Sequence, residues 1–306
     1  MIKTNYILGL VMAIALASCE TESEINIDNY VVNSFISSDT PFIVKTTKTV
    51  SVFDTATYSP LKNLEGKLYE NGELIGDLIY QLPYQREGIP EEVPEGYSIT
   101  GFVPEQGKEY SFELRDGNFV IQGSDVIPYA VNFTVDTTTV LDDYDLSTLG
   151  TECTLNFTDP ADRDNYYVIA YNATEFFSNE DTIGWTQAIG WMKSDDPAIE
   201  HSFYYQGLLY TGNRFIFSDK YFNGKEYSMP VRIFAGQNSG RRVNLTIYLL
   251  SVSEQYYKYV TSSIKQQENN EDYYAEPTQV YNNIENGFGI FAGFSVSKQI
   301  VEFGNE

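Results

Sequence analysis

The stretch LEGKLYENGELIGDLIY, residues 64–80, carries the clearest fold signal in the chain. Apolar and polar residues alternate on both sides of Asn71-Gly72, which is the pattern of two strands that each bury one face. Asn-Gly is a preferred pair for a type I′ turn, because both turn residues need a positive φ and these two adopt it at low cost. The stretch therefore predicts a β-hairpin.

Runs of the same kind recur along the chain, separated by Gly, Pro, Asn and Asp. The chain contains 25 Tyr and 19 Phe, and aromatic residues favour strands. We therefore predict an all-β fold. Besides the hairpin, the expected strands are 30–36, 42–53, 97–103, 109–115, 119–122, 131–140, 153–157, 166–171, 203–210, 214–218, 228–234, 243–250 and 289–296.

The length of 306 residues allows two domains, and we place their boundary near Ile127-Pro128. Residues 30–128 contain about seven short predicted strands, which favours an immunoglobulin-like or transthyretin-like sandwich. Residues 129–306 are expected to form a larger C-terminal β-sandwich. The stretch 178–200 is less regular and predicts a long excursion or an edge insertion.

One α-helix is expected within the C-terminal part, near 252–267. Ser251 and Glu254 have the spacing of a capping box, with Ser251 as the N-cap. Apolar residues then recur at helical spacing and give the helix one face to bury. These residues are Tyr256, Tyr257, Val260 and Ile264. The polar run 266–272 is expected to end the helix.

The N-terminus predicts a secreted, lipid-anchored protein. Residues 6–16 are almost wholly apolar but are shorter than the ~20 residues that cross a bilayer, so residues 1–18 are interpreted as a signal peptide. Leu16-Ala17-Ser18-Cys19 resembles the lipobox of bacterial lipoproteins, in which the cysteine receives acyl chains. An ordinary signal peptide with an incidental Cys19 is the alternative. The acidic residues 19–29 predict a flexible tether.

Charge and residue counts exclude several classes of function. A net charge of −24 disfavours nucleic acid and anionic lipid headgroups as partners. His201 is the single histidine, which excludes Ser-His-Asp and multi-histidine zinc sites. Glycine-rich phosphate-binding patterns are absent, so no cofactor is predicted. Cys153 alternates with Leu155 and Phe157 and is expected to be a buried, inert thiol.

Two acidic groups are candidate cation sites. The first is Asp195-Asp196 with Glu200-His201, for which a solvated loop is the favoured interpretation. The second has a spacing similar to that of calcium loops but lacks the glycine at the sixth position and the distal glutamate of an EF-hand. Its members are Asp159, Asp162 and Asp164. No metal ligand or catalytic residue is assigned from these patterns.

Two tryptophans offer a further candidate site. In an extended segment, Trp185 and Trp191 would share one face, as sugar-stacking platforms do. With only two tryptophans in the chain, burial in the core is the favoured interpretation. Paired carboxylates of a surface glycan hydrolase are a further alternative, because their distance in space is invisible in a sequence.

Several phrases of the chain resemble one known family. They are 157–160 with 166–169, 217–219 with 222–225, the hairpin segment 71–76, Tyr256 to Tyr259, Glu276-Pro277, and 282–291, which reads NNIENGFGIF. Together with the lipobox they resemble the family named domain of unknown function 4249. The resemblance implies an outer-membrane lipoprotein of Bacteroidota, frequently encoded beside a TonB-dependent receptor. It implies no catalytic residue. Phe222 and the tyrosines of the helix are expected in the core rather than in a ligand platform.

These observations lead to one expected function and two alternatives. We expect a non-enzymatic accessory protein, anchored in the outer membrane through Cys19 with its body favoured on the cell surface. A TonB-dependent receptor is the expected partner, and the ligand is unidentified. The alternatives are the surface glycan hydrolase and a purely structural or adhesive module.

Overall fold

The computed structural model describes residues 30–49, 59–85, 92–142, 149–179, 182–188, 190–206, 211–235, 242–271, 275–276 and 278–303. These residues contain nineteen strands, one α-helix and one short 3-10 helix. The strands form sheets of eight, five, four and two members. The predicted all-β fold with a single helix is therefore confirmed.

The strands and helices follow one another along the chain. In chain order the strands are β1 (Tyr30–Ser37), β2 (Thr46–Lys48), β3 (Glu65–Glu70), β4 (Glu73–Gln81), β5 (Tyr84–Gln85), β6 (Glu92–Val93), β7 (Gly96–Ser98), β8 (Glu109–Asp116), β9 (Phe119–Val126), β10 (Phe133–Leu141), β11 (Leu149–Thr158), β12 (Tyr166–Asn179), β13 (Thr182–Ala188), β14 (Gly190–Lys193), β15 (His201–Gln206), β16 (Thr211–Ser218), β17 (Glu226–Ala235), β18 (Arg242–Val252) and β19 (Phe288–Phe303). The α-helix, α1, spans Glu254–Glu271, and the 3-10 helix spans Asp219–Tyr221.

The large sheet combines strands from both ends of the chain, in the order β15-β16-β12-β18-β19-β1-β2 with β13 on β12. Strand β1 runs parallel to β19, with Val31 opposite Phe288. The predicted boundary near residue 128 falls between β9 and β10, yet the large sheet contains strands from both sides of it. The domain boundaries themselves stay a prediction.

A four-stranded small sheet, β10-β11-β17-β14, covers one face of the large sheet. Its inward residues, such as Leu155 and Val231, pack against Ile169 and Ile247 of the large sheet in one core. Cys153 belongs to this core and is fully buried, as predicted, and burial raises the pKa of its thiol to about 12. The C-terminal half of the chain is thus a β-sandwich.

The N-terminal sheet, β7-β4-β3-β8-β9, contains the hairpin that opened the sequence analysis. Asn71 and Gly72 have φ values of 49° and 82°, so the predicted two-residue turn is confirmed. The sheet packs against the part of the large sheet that β1 and β19 form. There the ring centroids of Phe112 and Phe291 of β19 lie 5.0 Å apart. A second core forms there.

The helix α1 covers the other face of the large sheet, where Tyr256 packs on Leu250 and Ile290. It begins later than predicted, because Ser253 is the residue whose Oγ accepts a hydrogen bond from the Tyr256 N–H. Ser251 still belongs to β18, and its Oγ accepts from the Val131 N–H. The predicted N-cap at Ser251 is therefore wrong by two residues, and the polar run does not end the helix before Glu271.

Candidate functional site

The predicted lipid anchor, Cys19, and the tether lie outside the described residues, which begin at Tyr30. The Tyr30 ring stacks on Phe119 at 5.1 Å, and its hydroxyl donates to Asp116 at 2.6 Å. These contacts fix the point where the preceding chain joins the body. Within the part of the chain that the structure describes, no helix combines the length and apolarity of a membrane span.

The acidic residues around His201 do not converge on one point. Asp195 pairs with Arg232, whereas the Asp196 carboxylate accepts from the Tyr227 hydroxyl at 2.7 Å. Glu200 accepts from Ser218 at 2.6 Å and from the Tyr257 hydroxyl. These carboxylates connect neighbouring strands and the helix. No three His, Cys, Asp or Glu side chains of the described ranges form a metal-binding group.

The calcium-like spacing at 159–164 is also divided between different contacts. Asp159 is buried and accepts from the Tyr167 hydroxyl at 2.6 Å and from the Gly224 N–H at 2.8 Å. Asp162 instead pairs with the adjacent Arg163 at the surface, 2.8 Å away. Because Asp159 points inward and Asp162 outward, these residues form a structural turn, which we call the buried corner.

A second buried carboxylate, Asp219, supports the same corner. Its Oδ2 accepts from the Asn165 N–H at 2.8 Å, and burial raises the pKa of this carboxyl group. Phe222 packs beside it and is almost fully buried. The family phrases around 159, 167, 219 and 222 thus build the turns at one end of the sandwich, and the expected core position of Phe222 is confirmed.

Both tryptophans are exposed, so the prediction that they are buried in the core is wrong. Trp185 is 67% exposed on β13 of the large sheet, opposite Phe176. Trp191 is 44% exposed on β14 of the small sheet and stacks on Phe234 at 5.5 Å. Because the two residues belong to different sheets, they form no common platform, which excludes the predicted shared face.

Strand registers place Trp185 far from the start of the body. Strand β19 begins beside Val31 and runs 16 residues, or about 50 Å, away from it. Its last residue, Phe303, lies opposite Val243, and the neighbouring Arg242 lies opposite Phe176. Trp185 therefore lies at the end of the large sheet that is distant from Tyr30; we call this the distal end.

A small cleft of about 220 Å³ lies where β1 separates from β19. Phe294, Val296 and Tyr248 give the cleft an apolar part of its lining, and the other lining residues are polar. The polar residues are Ser37, Asp39, Thr40 and Lys298.

From this cleft onward, β19 is an edge strand. Residues 288–294 pair with β1, and residues 294–303 pair with β18 on the opposite side. Within the described ranges, no strand pairs with residues 295–303 on the side where β1 lay before. We call this side the open edge. Its unpaired backbone groups are able to bind another extended chain.

Sequence reasoning missed a buried carboxylate, Asp125, that joins three elements. It lies on β9 and accepts from the Ser253 hydroxyl at the helix N-cap and from the Gly293 N–H of β19, the latter at 2.7 Å. Burial raises the pKa of Asp125 to about 6. The signal was available, because Ile121, Gly123 and Asp125 occupy alternate, inward positions of one strand, and a charged residue there needs a partner.

Comparisons with known proteins place the chain in a family but do not assign an activity. No curated protein matches it. Among solved structures, the collagen-binding domain of the surface protein RspB of Erysipelothrix rhusiopathiae shares 8% identity, with 88% of this chain and 96% of that domain covered. The TM-score of 0.21 is too low for any argument about fold or function.

The sequence match is much more extensive. The family described as domain of unknown function 4249 (DUF4249) matches residues 18–300. The match includes Cys19, the hairpin, the buried corner and nearly all of β19. The chain belongs to the DUF4249 family.

Proposed function

We propose that this protein is a lipid-anchored accessory protein of the outer membrane that binds a ligand or partner on the cell surface for a TonB-dependent receptor. The lipobox at Cys19 supports the anchor, and the family match begins at residue 18, directly before this cysteine. The receptor partnership is inferred from the family resemblance. Three acyl chains on one cysteine anchor firmly, since each buried CH₂ contributes about 0.8 kcal/mol.

The observation that carries the proposal is the opposite placement of the chain start and the exposed Trp185. Residues 20–29 join Cys19 to Tyr30 and span at most about 40 Å when fully extended. The distal end, with Trp185, lies about 50 Å beyond Tyr30 along β19. Large exposed aromatic residues are typical of recognition surfaces. In the anchored protein, Trp185 then lies at the end of the body opposite the anchored chain start.

The anchor is tested by replacing the cysteine. In cells fed radiolabelled palmitate, Cys19→Ser should abolish labelling and release the protein from the membrane fraction. Cys153→Ala is the matched control, because Cys153 is buried and should leave both measurements unchanged. Labelling and membrane retention that persist in Cys19→Ser would contradict the anchor.

The receptor partnership and the surface location need a second experiment. The wild-type protein, solubilised from membranes after cross-linking of intact cells with an impermeant reagent, should co-purify with a TonB-dependent receptor. Cys19→Ser should lose this cross-link because it no longer stays at the membrane. Purification without any receptor, or cross-linking only after the cells are broken, would reject this part of the proposal.

A further inference from the structure

The open edge of β19 continues a position that the chain itself already uses for strand pairing. Residues 288–294 pair with β1 in a parallel ladder, which ends where Ser37 lies opposite Phe294. The chain then turns away, and β19 continues to Phe303 with β18 on its other side. Beyond Ser37, β1 no longer lies beside β19, and no other strand of the described residues pairs with β19 on that side.

The hydrogen bonds of the first part of β19 identify the backbone groups at the open edge. Phe291 and Gly293 direct their N–H and C=O groups away from β1, toward Asn283, Asp125 and the Ser253 N–H. Because these groups alternate along a strand, the odd-numbered residues face β18 and the even-numbered residues face the open edge. The outward groups are those of Val296, Lys298, Ile300 and Glu302.

Side chains give the open edge a definite chemical pattern. Val296 and Lys298 both line the cleft, while Ile300 is 56% exposed. Glu302 is already paired with Arg242 at 3.1 Å. Directly opposed residues on neighbouring strands interact through their side chains. A chain that pairs here therefore meets an apolar, a basic and a second apolar position in turn.

We propose that the open edge of β19 binds an extended peptide segment of a partner protein, which adds to the large sheet as a strand. Backbone hydrogen bonds to the even-numbered residues hold the segment, and its side chains supply selectivity. The complementary segment has an apolar residue opposite Val296, which fills the cleft, an acidic residue opposite Lys298 and an apolar residue opposite Ile300. This inference deepens the proposed function, since it states how the body engages its partner.

The first test measures binding of a synthetic fluorescent peptide, Thr-Val-Thr-Glu-Thr-Ile-Thr-Lys-Thr, and of its reversed sequence, to the mature protein in detergent by fluorescence anisotropy. Each peptide is also N-methylated at alternate residues, in the two possible sets. N-methylation removes donors from one edge of a strand only. Strand addition predicts that one methylated set loses binding and that the other set binds like the parent peptide.

Variants of the protein test the position and the charge preference. Lys298→Glu should weaken binding of the parent peptide about tenfold. The same variant should bind a second peptide, in which Lys replaces Glu, as tightly as the wild type binds the parent peptide. Lys265→Glu, on the exposed side of α1, is the matched control and should change neither affinity. Ile300→Pro should abolish binding, because proline lacks an N–H and blocks the edge, whereas Ile300→Thr should retain it.

The outcomes separate this inference from its alternatives. Loss of binding with one methylated set, together with the reversed charge preference of Lys298→Glu, supports the proposal even if Ile300→Pro fails to fold. No binding of any peptide, or equal effects of both methylated sets, overturns it. A dimer in sedimentation that Ile300→Pro dissociates also overturns it, since a second copy then occupies the edge. A negative palmitate result would reject the anchor but would leave peptide binding intact.

Discussion

The first half of β19, residues 288–294, has partners on both sides, whereas among the described residues the second half, 295–303, pairs with a strand on one side only. In the first half, β1 pairs with one edge, and three side-chain bonds and the Ser253 N–H reach the other. Asn283 bonds both the N–H and the C=O of Phe291, at 2.9 and 2.7 Å, and Asp125 accepts from the Gly293 N–H. In the second half, β18 pairs with one edge and the other stays open.

This difference shows where the fold depends on individual polar side chains. Residues 290–293 of the first half are buried between the N-terminal sheet and α1, and unpaired backbone groups in such a place cost about 1–3 kcal/mol each. Asn283 and Asp125 remove this cost. The second half meets solvent, where water satisfies the same groups, so its outer edge needs no such side chains. Four predictions test this contrast.

The largest effect is expected for Gly289→Ala in the first half. Gly289 has a φ of 110°, and a Cβ there would lie 1.9 Å from the Val32 carbonyl oxygen. Backbone strain and the clash with β1 should together lower the free energy of unfolding by more than about 3 kcal/mol in urea titrations. Ser297→Ala in the second half should cost less than about 1 kcal/mol. Equal losses would remove the contrast.

Removal of a bonding side chain should have the next largest effect. Asn283→Ala leaves the N–H and C=O of buried Phe291 without their partner, and the expected loss of unfolding free energy is about 2–3 kcal/mol. The matched change in the second half is Gln299→Ala, which removes one partly buried hydrogen bond donated to the Phe133 carbonyl oxygen. Its cost should stay below about 1 kcal/mol. A costlier Gln299→Ala would reverse the comparison.

The stability of the first half should depend on pH through Asp125. Burial raises the pKa of this carboxyl group to about 6 in the folded state, so between pH 6 and 4 the folded protein holds a proton that the unfolded chain has released. Protonation therefore stabilises the fold as the pH falls, by about 2 kcal/mol between pH 7.5 and pH 4.5.

The measurement is the difference in unfolding free energy between the wild type and Asp125→Asn at pH 7.5 and pH 4.5. The wild type should gain relative to Asp125→Asn on acidification, because the amide does not titrate in this range. An unchanged difference, or a relative loss, would show that the carboxyl group does not carry a raised pKa.

The smallest effect is expected for Ile300→Thr at the open edge. Ile300 is 56% exposed and Thr keeps the branched Cβ that strands favour, so the unfolding free energy should change by less than about 0.5 kcal/mol. Thermal unfolding followed by circular dichroism measures this change. A loss above about 1 kcal/mol would mean that the second half is packed as tightly as the first.

Local signals predicted local structure well. The Asn71-Gly72 turn and the inward position of Phe222 follow from the residues and their immediate neighbours. The N-cap was placed at Ser251 because the capping-box spacing is satisfied there. In the structure, β18 continues through Val252, since pairing with β19 outweighs that local signal and moves the cap to Ser253.

The candidate site was less accessible to prediction. The tryptophans were expected in the core because large aromatic residues are usually buried, but the chain passes from the large sheet to the small sheet between Trp185 and Trp191. The acidic groups near His201 are adjacent in sequence, yet each bonds a different element. Carboxylates that are adjacent in the sequence therefore do not converge on one point in the structure, because each is held by a different strand or by the helix.

The amino-acid sequence by itself determined the strand class, the hairpin turns, the family and the expected anchor at Cys19, because these depend on residue type and on close neighbours. Tertiary structure decided that β1 pairs with β19, that Asp125 joins three elements and that the second half of β19 keeps an open edge. Those outcomes depend on contacts between residues far apart in the chain. Many strands have a similar residue pattern and could pair with one another, and only the packing of the whole protein decides which of them do.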